Sequence, residues 1–314
     1  MQSNPLVSIG IANYNYANYI VHALNSIEDQ SYQNIEVIIV DDHSTDNSVT
    51  VIEDWIKQYK GLKIISFIKN EQNLGIAKVS NLVLQSAKGK YFQVLDADDI
   101  LLPDKVAIQV DKMEGNSNAA LIYSNTCIID EGGEVINNDY LSRVGYDEKN
   151  MPEGFVHERL FDFNFIPNSS VLVKTHSAKE VGGFDDTVQV QDYYLWIKLS
   201  EHHEVIYMHG NTAQYRIHGT SLSNKESTNA NSIAGELDLL YRYYKDGDAA
   251  RQKKIKKSIH HSAAYLYQLK FPKAAYWLKQ DFLLNPSVKT FGYFLAINLG
   301  IPFSFFARIK AILS

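Results

Sequence analysis

A chain of 314 residues, 45% hydrophobic and 12% aromatic, can bury one large core or two modest ones. Its net charge of −6 disfavours nucleic acid as the main partner, because phosphate binding needs concentrated Lys and Arg. The single cysteine, Cys127, excludes a disulfide framework and points to a reducing compartment, with a structural role for the thiol. The opening "MQSNPLVSIGIANYN" has neither a basic stretch nor a cleavage site, so it reads as a first strand and not as a signal peptide.

Strand and helix patterns alternate over the first 125 residues. Apolar, β-branched runs occur at 6–12, 35–41, 62–68, 90–96 and 119–125. Helical stretches lie between them at 17–30, 46–59, 75–88 and 103–114, with Ser44 or Asp46 available to cap the second and Pro103 suited to a first turn. Near-continuous apolar strands alternating with helices predict an α/β fold, a mostly parallel sheet covered on both faces. From about residue 126 the pattern is mixed. "CIIDEGGEVIN" reads as a hairpin turning at Gly132–Gly133, 169–174 as a strand, 190–201 as a helix, and 204–210 and 212–218 as two strands. After the polar stretch "GTSLSNKEST" the chain reads as helices at 227–245, 250–269, 272–283, 287–299 and 302–313. A boundary near 220–228 is therefore expected, between an α/β domain over 1–222 and a helical region over 223–314.

Three strand ends carry the polar signals: "ANYNY" (12–16), "DDHSTDNS" (41–48) and "DADD" (96–99). A parallel sheet brings them to one edge, where such sheets bind ligands. Asp96, Asp98 and Asp99 repel one another there, and each raises the others' pKa. Capping a helix needs one side chain, not three. A hard divalent cation on oxygen ligands, bridging to a diphosphate, removes the repulsion.

Taken in order, the segments resemble the inverting glycosyltransferases of family 2, which have the GT-A fold. "VSIGIANYN", "IEVIIVDDHSTDNS", "NEQNLGIAKVSNLVLQSAKGKYFQVLDADDILLP", "GGFDD", "QDYYLWIKL" and "YRIHGTSLS" carry the likeness across about residues 6–222. The resemblance implies that Ala12, Tyr14 and Asp42 hold the nucleotide base. Asp96, Ala97 and Asp98 would meet the nucleotide-sugar. Asp98, Asp99 and His218 would hold Mn²⁺ or Mg²⁺, with His218 also closing on the diphosphate, and Asp192 would be the general base. The donor would be a nucleoside-diphosphate sugar, uridine-linked, and the acceptor a glycan or lipid-linked glycan of a bacterial surface polysaccharide. Two departures stand out: Ser80 replaces the usual arginine near Lys78, and His43 replaces a glycine that often serves a positive φ. A retaining transferase, a nucleotidyltransferase, and a catalytically inactive binding protein are the alternatives.

Other residues keep two readings each. Trp196 either anchors the helix that presents Asp192 or stacks on sugar. Asp185 and Asp186 serve a turn or the ligand. Asn168, Ser169 and Ser170 lie near the acceptor or serve structure, and Tyr215 and Arg216 reach phosphate or simply complete a strand. His202–His203 and His260–His261 read as surface residues without a zinc pattern. Residues 290–307 form an uncharged run of 18, interrupted by Asn298, Gly300 and Pro302. They read as a packed helix pair, an interfacial membrane attachment, or a span. The expected location is the cytoplasm, at the inner face of the plasma membrane if the attachment holds.

Overall fold

The computed structural model describes residues 4–61, 64–219 and 226–305. They form two compact units. The first is built from residues up to Leu160, Asn164–Asp186 and Gln191–His218, and the second from Phe161–Phe163, Thr187–Val190 and the described residues from Gly219 on.

Four parallel strands open the first unit: β1 (Val7–Asn13), β2 (Ile35–Asp41), β3 (Ile64–Lys69) and β4 (Tyr91–Asp96). They stand in the order β3-β2-β1-β4, joined by α1 (Ile20–Glu28), α2 (Ser48–Gln58) and α3 (Ile76–Ser86). Every residue of β2 is buried, as expected of a strand covered on both faces. At Gly10 a Cβ would lie 2.0 Å from Val83 Cγ1, so α3 rests directly on the β1 backbone.

The rest of the unit comprises β5 (Ile100–Leu101), α4 (Lys105–Glu114), β6 (Ala119–Ile129), β7 (Val135–Asn137), α5 (Tyr140–Arg143), α6 (His157–Leu160), β8 (Leu172–Lys174), α7 (Thr175–Glu180), α8 (Gln191–Ser200) and β9 (Glu204–Arg216). The sheet continues from β4 through β8, β6 and β9 to β5, with β7 on β6. This half is mixed: β8 runs antiparallel to both β4 and β6, whereas β6 and β9 are parallel. The expected hairpin at 130–134 is present. The expected strand 169–174 shrinks to three residues because Asn168–Ser170 form a 3₁₀ turn. The two strands expected at 204–210 and 212–218 are one strand. Met208 pairs with Ser124 and Asn211 with Asn125, so His209 and Gly210 bulge out, and Gly210 takes a φ of 89°.

The second unit holds α9 (Glu226–Arg242), α10 (Ala249–Gln268), α11 (Ala274–Leu284) and α12 (Val288–Asn298). Asp248 caps α10, and Ser287 with Thr290 forms a capping box on α12. Leu237, Leu240, Ile255, Ile259, Trp277 and Leu278 are buried. The reading of His260 as a plain surface residue is corrected: it pairs with the fully buried Asp281 at 2.9 Å. Of the expected helix 302–313, residues 304 and 305 are helical, and 306–313 lie outside the described residues, as does most of "GTSLSNKEST".

Candidate active site

The carboxyl ends of β1, β2 and β4 meet at one edge because the three strands are adjacent and parallel. In register, Ala12 lies between Val40 and Asp96. The loops after β1 and β2 are stapled together. Asn13 Nδ2 donates to Asp41 Oδ2 (2.7 Å), the backbone N–H of Asn15 donates to Ser44 Oγ (2.9 Å), and Asn15 Oδ1 accepts from the Thr45 N–H (2.7 Å). His43 takes a φ of 64°, the left-handed conformation that glycine would adopt freely. Tyr14 is exposed at the rim.

Asp42 is buried and engaged. Its Oδ1 accepts from Asn70 Nδ2 (2.8 Å) and the Leu74 N–H (2.9 Å), and its Oδ2 accepts from the Gly75 N–H (2.9 Å). It therefore fixes the loop leading into α3, with acceptor capacity left on Oδ2. Ser80, in place of the family's arginine, is buried, and Lys78 faces Asp186 at 3.7 Å on the surface.

The "DADD" turn closes on itself, with the Asp99 N–H donating to the Asp96 carbonyl at 3.1 Å. Burial and the Asp98 charge push Asp96 up to about 7, and Asn168 Nδ2 opposes this by donating to Asp96 Oδ2 at 3.1 Å. Asp98 is raised by burial and held down by His218, whose Nε2 lies 3.0 Å from Asp98 Oδ2. Asp99 is raised well above the ordinary carboxylate range, by burial and by both neighbouring carboxylates. Its Oδ1 accepts from the Arg216 N–H at 3.0 Å. Its Oδ2 is buried without a well-formed hydrogen bond, although the Ser169 hydroxyl is close enough to favour the ionised form.

Arg216 is a buried strand residue whose guanidinium is held by backbone carbonyls. It is 1% exposed; its Nε donates to the Asp98 carbonyl (2.9 Å) and its Nη1 to the Asp130 (3.0 Å) and Glu131 (3.2 Å) carbonyls. The His218 ring packs against Tyr19, with centroids 4.4 Å apart, and lies edge-on to Tyr16.

Asp192 opens α8, which is anchored by the buried Trp196 and by the Tyr193 hydroxyl donating to the Leu160 carbonyl. Burial raises Asp192, and its charge in turn raises Asp96 and the Tyr140 hydroxyl. The fold therefore brings Asp192 to the same carboxylate edge from about a hundred residues downstream. Two tyrosines missed by sequence reasoning join the edge. Tyr16 feels Asp98, Asp96 and Asp99, and Tyr140 feels Asp192 and Asp99. Tyr16 was visible within "NYNY", but Tyr140 carries no local signal.

Behind the edge lies another group the sequence hid. Lys105 is 1% exposed, and its Nζ donates to Gln93 Oε1, Gln109 Oε1 and the Val171 carbonyl, each at 2.7 Å. Gln93 and Gln109 then donate to the Ser169 (3.0 Å) and Ser170 (2.7 Å) carbonyls. This network holds the turn that carries Asn168. Asn168 to Ser170 thus support the carboxylates from behind.

Among the described residues, no group of three or more acidic, His or Cys side chains is placed to hold a metal ion. Asp99 turns towards Arg216, leaving Asp98 and His218 together. Their 3.0 Å separation matches that of adjacent ligands around an octahedral Mg²⁺ or Mn²⁺, roughly 3.0 Å for bonds of about 2.1 Å. Such ions ordinarily take one or two protein ligands and complete their shell with phosphate and water. The Asp98–His218 pair is of the right type and spacing for such a cation.

Residues 8–169 match the model of glycosyl transferase family 2. The chain is 34% identical over 196 residues to an uncharacterised glycosyltransferase of Methanocaldococcus jannaschii, covering 62% of this chain and 64% of that one. It is 29% identical over 241 residues to an uncharacterised glycosyltransferase of Haemophilus influenzae, covering 76% and 73%. It is 30% identical over 200 residues to a chondroitin synthase of Escherichia coli, covering 63% and 27%. The match thus spans just under two thirds of the archaeal relative and about a quarter of the chondroitin synthase. Two solved structures share the fold. One is a mannosyltransferase from Pyrobaculum calidifontis in complex with GDP-Man and Mn²⁺ (TM-score 0.62, 18% identity, 99% of this chain and 85% of that chain). The other is S. aureus TarS 1–349 in complex with UDP-GlcNAc (TM-score 0.59, 13% identity, 94% and 92%).

Proposed function

Because the chain belongs to glycosyltransferase family 2 and is a transferase with a GT-A fold, we propose that it moves a sugar, with inversion, from a nucleoside-diphosphate donor to a hydroxyl of a glycan or lipid-linked acceptor. We assign the reaction to residues 1–222, with 223–314 as the helical region. The observation that carries the reading is Asp192: a buried carboxylate with a raised pKa, whose charge is felt at Asp96. The nucleotide-sugars in the two similar structures support the donor class, and a uridine nucleotide is the form we assign.

The chain's own groups then divide the work. Ala12, Tyr14 and the free capacity of Asp42 Oδ2 receive the base, and Asp96 to Asp98 receive the ribose and sugar-phosphate. Asp98 and His218 would hold Mn²⁺ or Mg²⁺, which supplies positive charge against the departing diphosphate. Asp99 and Arg216 keep the Asp98 backbone in place. Asp192 accepts the proton of the acceptor hydroxyl as its oxygen bonds to the anomeric carbon, and the carbon–oxygen bond to the diphosphate breaks with its electron pair leaving on phosphate. A carboxylate raised by burial is the stronger base for this, and such help contributes about 10²–10⁴-fold. Approach from the face opposite the leaving group inverts the anomeric centre.

A thermal-shift panel of nucleotide-sugars, with Mn²⁺ and with chelator, tests donor binding, since a ligand of the folded state raises the melting temperature. Asp192→Asn separates binding from chemistry. It should keep the donor-induced shift and lose about 10²-fold or more of turnover. Unchanged turnover would remove Asp192 from the mechanism.

A further inference from the structure

The C-terminal helices present a surface that carries none of the site residues named above. Residues 249–314 carry 11 Lys and Arg against one acidic residue, whereas residues 1–248 carry 19 against 35. The one acidic residue, Asp281, is fully buried against His260, so it offsets none of the surface charge. The chain's net −6 thus conceals a basic end attached to an acidic body.

The same helices expose an apolar stripe. On α12, Val288, Phe291, Leu295 and Leu299 follow one another at intervals of three or four residues, which places them on one helix face. All four are exposed, Val288 at 92% and Leu299 at 65%. The opposite side of α12 is spent on packing: Thr290 and Ala296 are buried, and the Tyr293 ring meets Tyr267. Leu283, at the end of α11, is 60% exposed. Lysines border these faces: Lys279 is one turn before Leu283 and Lys289 lies beside Val288, both exposed. On α10, Lys253 and Lys257 are exposed as well.

We propose that this surface docks the protein on an anionic lipid bilayer, with α12 lying in the headgroup region. The charge argument selects the occupant. An apolar stripe flanked by lysines, and carrying no exposed acid, complements a negatively charged lipid surface. A second copy of the same basic helices would meet it with like charge. The helix α12 has 11 residues, and no helix among the described residues is long and apolar enough to cross a membrane, so the docking proposed is interfacial. Lysine stems reach past the apolar residues to lipid phosphates while Phe291 and the leucines enter the acyl boundary. Docking of this kind would hold a transferase where a lipid-linked acceptor is found, but vesicle binding is read without any turnover and stands or falls independently of the sugar chemistry.

The test is flotation of the full chain with vesicles of phosphatidylcholine alone or mixed with phosphatidylglycerol. Binding is expected to the mixed vesicles, weakened by high salt. The double substitution Leu295→Glu/Leu299→Glu should reduce it about tenfold or more while leaving the melting temperature unchanged, because both side chains are exposed. Lys253→Gln/Lys257→Gln should reduce binding to the anionic vesicles only. The proposal is overturned if the wild-type chain fails to float with anionic vesicles, or if the Leu295/Leu299 variant floats as well as wild type. It is also overturned if wild type shows a concentration-dependent doubling of mass by light scattering that the variant abolishes, which would make a second copy the occupant.

Discussion

Replacing Lys105 by methionine gives the sharpest measure of what supports the carboxylate edge. Burial drives the Lys105 pKa well below the ordinary lysine value. Three oxygen acceptors at 2.7 Å oppose that, and a neutral amine has only two N–H groups to offer them. The ammonium is the form this geometry suits. Lys105→Met keeps the length of the side chain and strands three buried acceptors: Gln93 Oε1, Gln109 Oε1 and the Val171 carbonyl. Each orphaned acceptor costs about 1–3 kcal/mol, and relief from burying a charge returns part of the sum. A net loss of about 3 kcal/mol follows, which for a domain of this size lowers the melting temperature by roughly 6–12 °C. Because Gln93 and Gln109 also hold the Ser169 and Ser170 carbonyls, the turn carrying Asn168 should loosen and Asp96 should lose a partner. The assay is thermal and urea unfolding, run alongside the donor-induced shift. Lys105→Arg should fail to rescue either readout, since a planar guanidinium does not match three converging acceptors. Stability within about 0.5 kcal/mol of wild type, the usual range for an inconsequential surface change, would refute the reasoning.

Asp42→Ala should lower stability by about 2–3 kcal/mol in urea unfolding, because it orphans two backbone N–H groups and Asn70 Nδ2, and it should abolish the donor-induced shift. Asp42→Asn, retaining one acceptor oxygen, should fall between Asp42→Ala and wild type. The pH dependence of the metal-free, nucleotide-free protein should show Asp96. With its pKa raised from 3.8 to about 7, this carboxyl binds a proton in the fold that the unfolded chain has already released. Its contribution is intact below about pH 3.8 and is lost as pH rises to about 7, amounting to about 4 kcal/mol at most. Asp96→Asn should therefore flatten the fall in melting temperature between pH 5 and 8, and an unaltered slope would assign that fall to other groups.

Much of the fold was legible because β-strand and helix periods differ and the strands of the first half are buried on both faces. The second half of the sheet was harder. Its strands are short, mixed in direction and interrupted, and the bulge at His209–Gly210 looked like a turn between two strands. His43 shows a local rule holding through an unusual residue: a departure from glycine predicted a φ question, and the backbone kept the positive φ. Trp196 resolved to the packed reading, since it is 2% exposed on the buried face of α8. Lys105 was invisible for the opposite reason. A lysine in an amphipathic helix is ordinarily solvated, and nothing in its neighbours' sequence announces three acceptors brought from 93, 109 and 171.

The sequence by itself determined the alternation of strands and helices, the convergence of polar strand ends on one edge, and the ordered aspartates at 42, 96, 98, 99 and 192. Those follow from periodicity and from the geometry that parallel strands share, which local residue patterns encode. Only the tertiary structure decided the division of labour among them: Asp98 with His218, Asp99 with Arg216, Asp96 with Asn168, and Tyr140 between the influence of Asp192 and Asp99. Most of these pairings join residues some 50 to 120 positions apart, where side-chain burial and strand register, and not any local pattern, set which atoms meet.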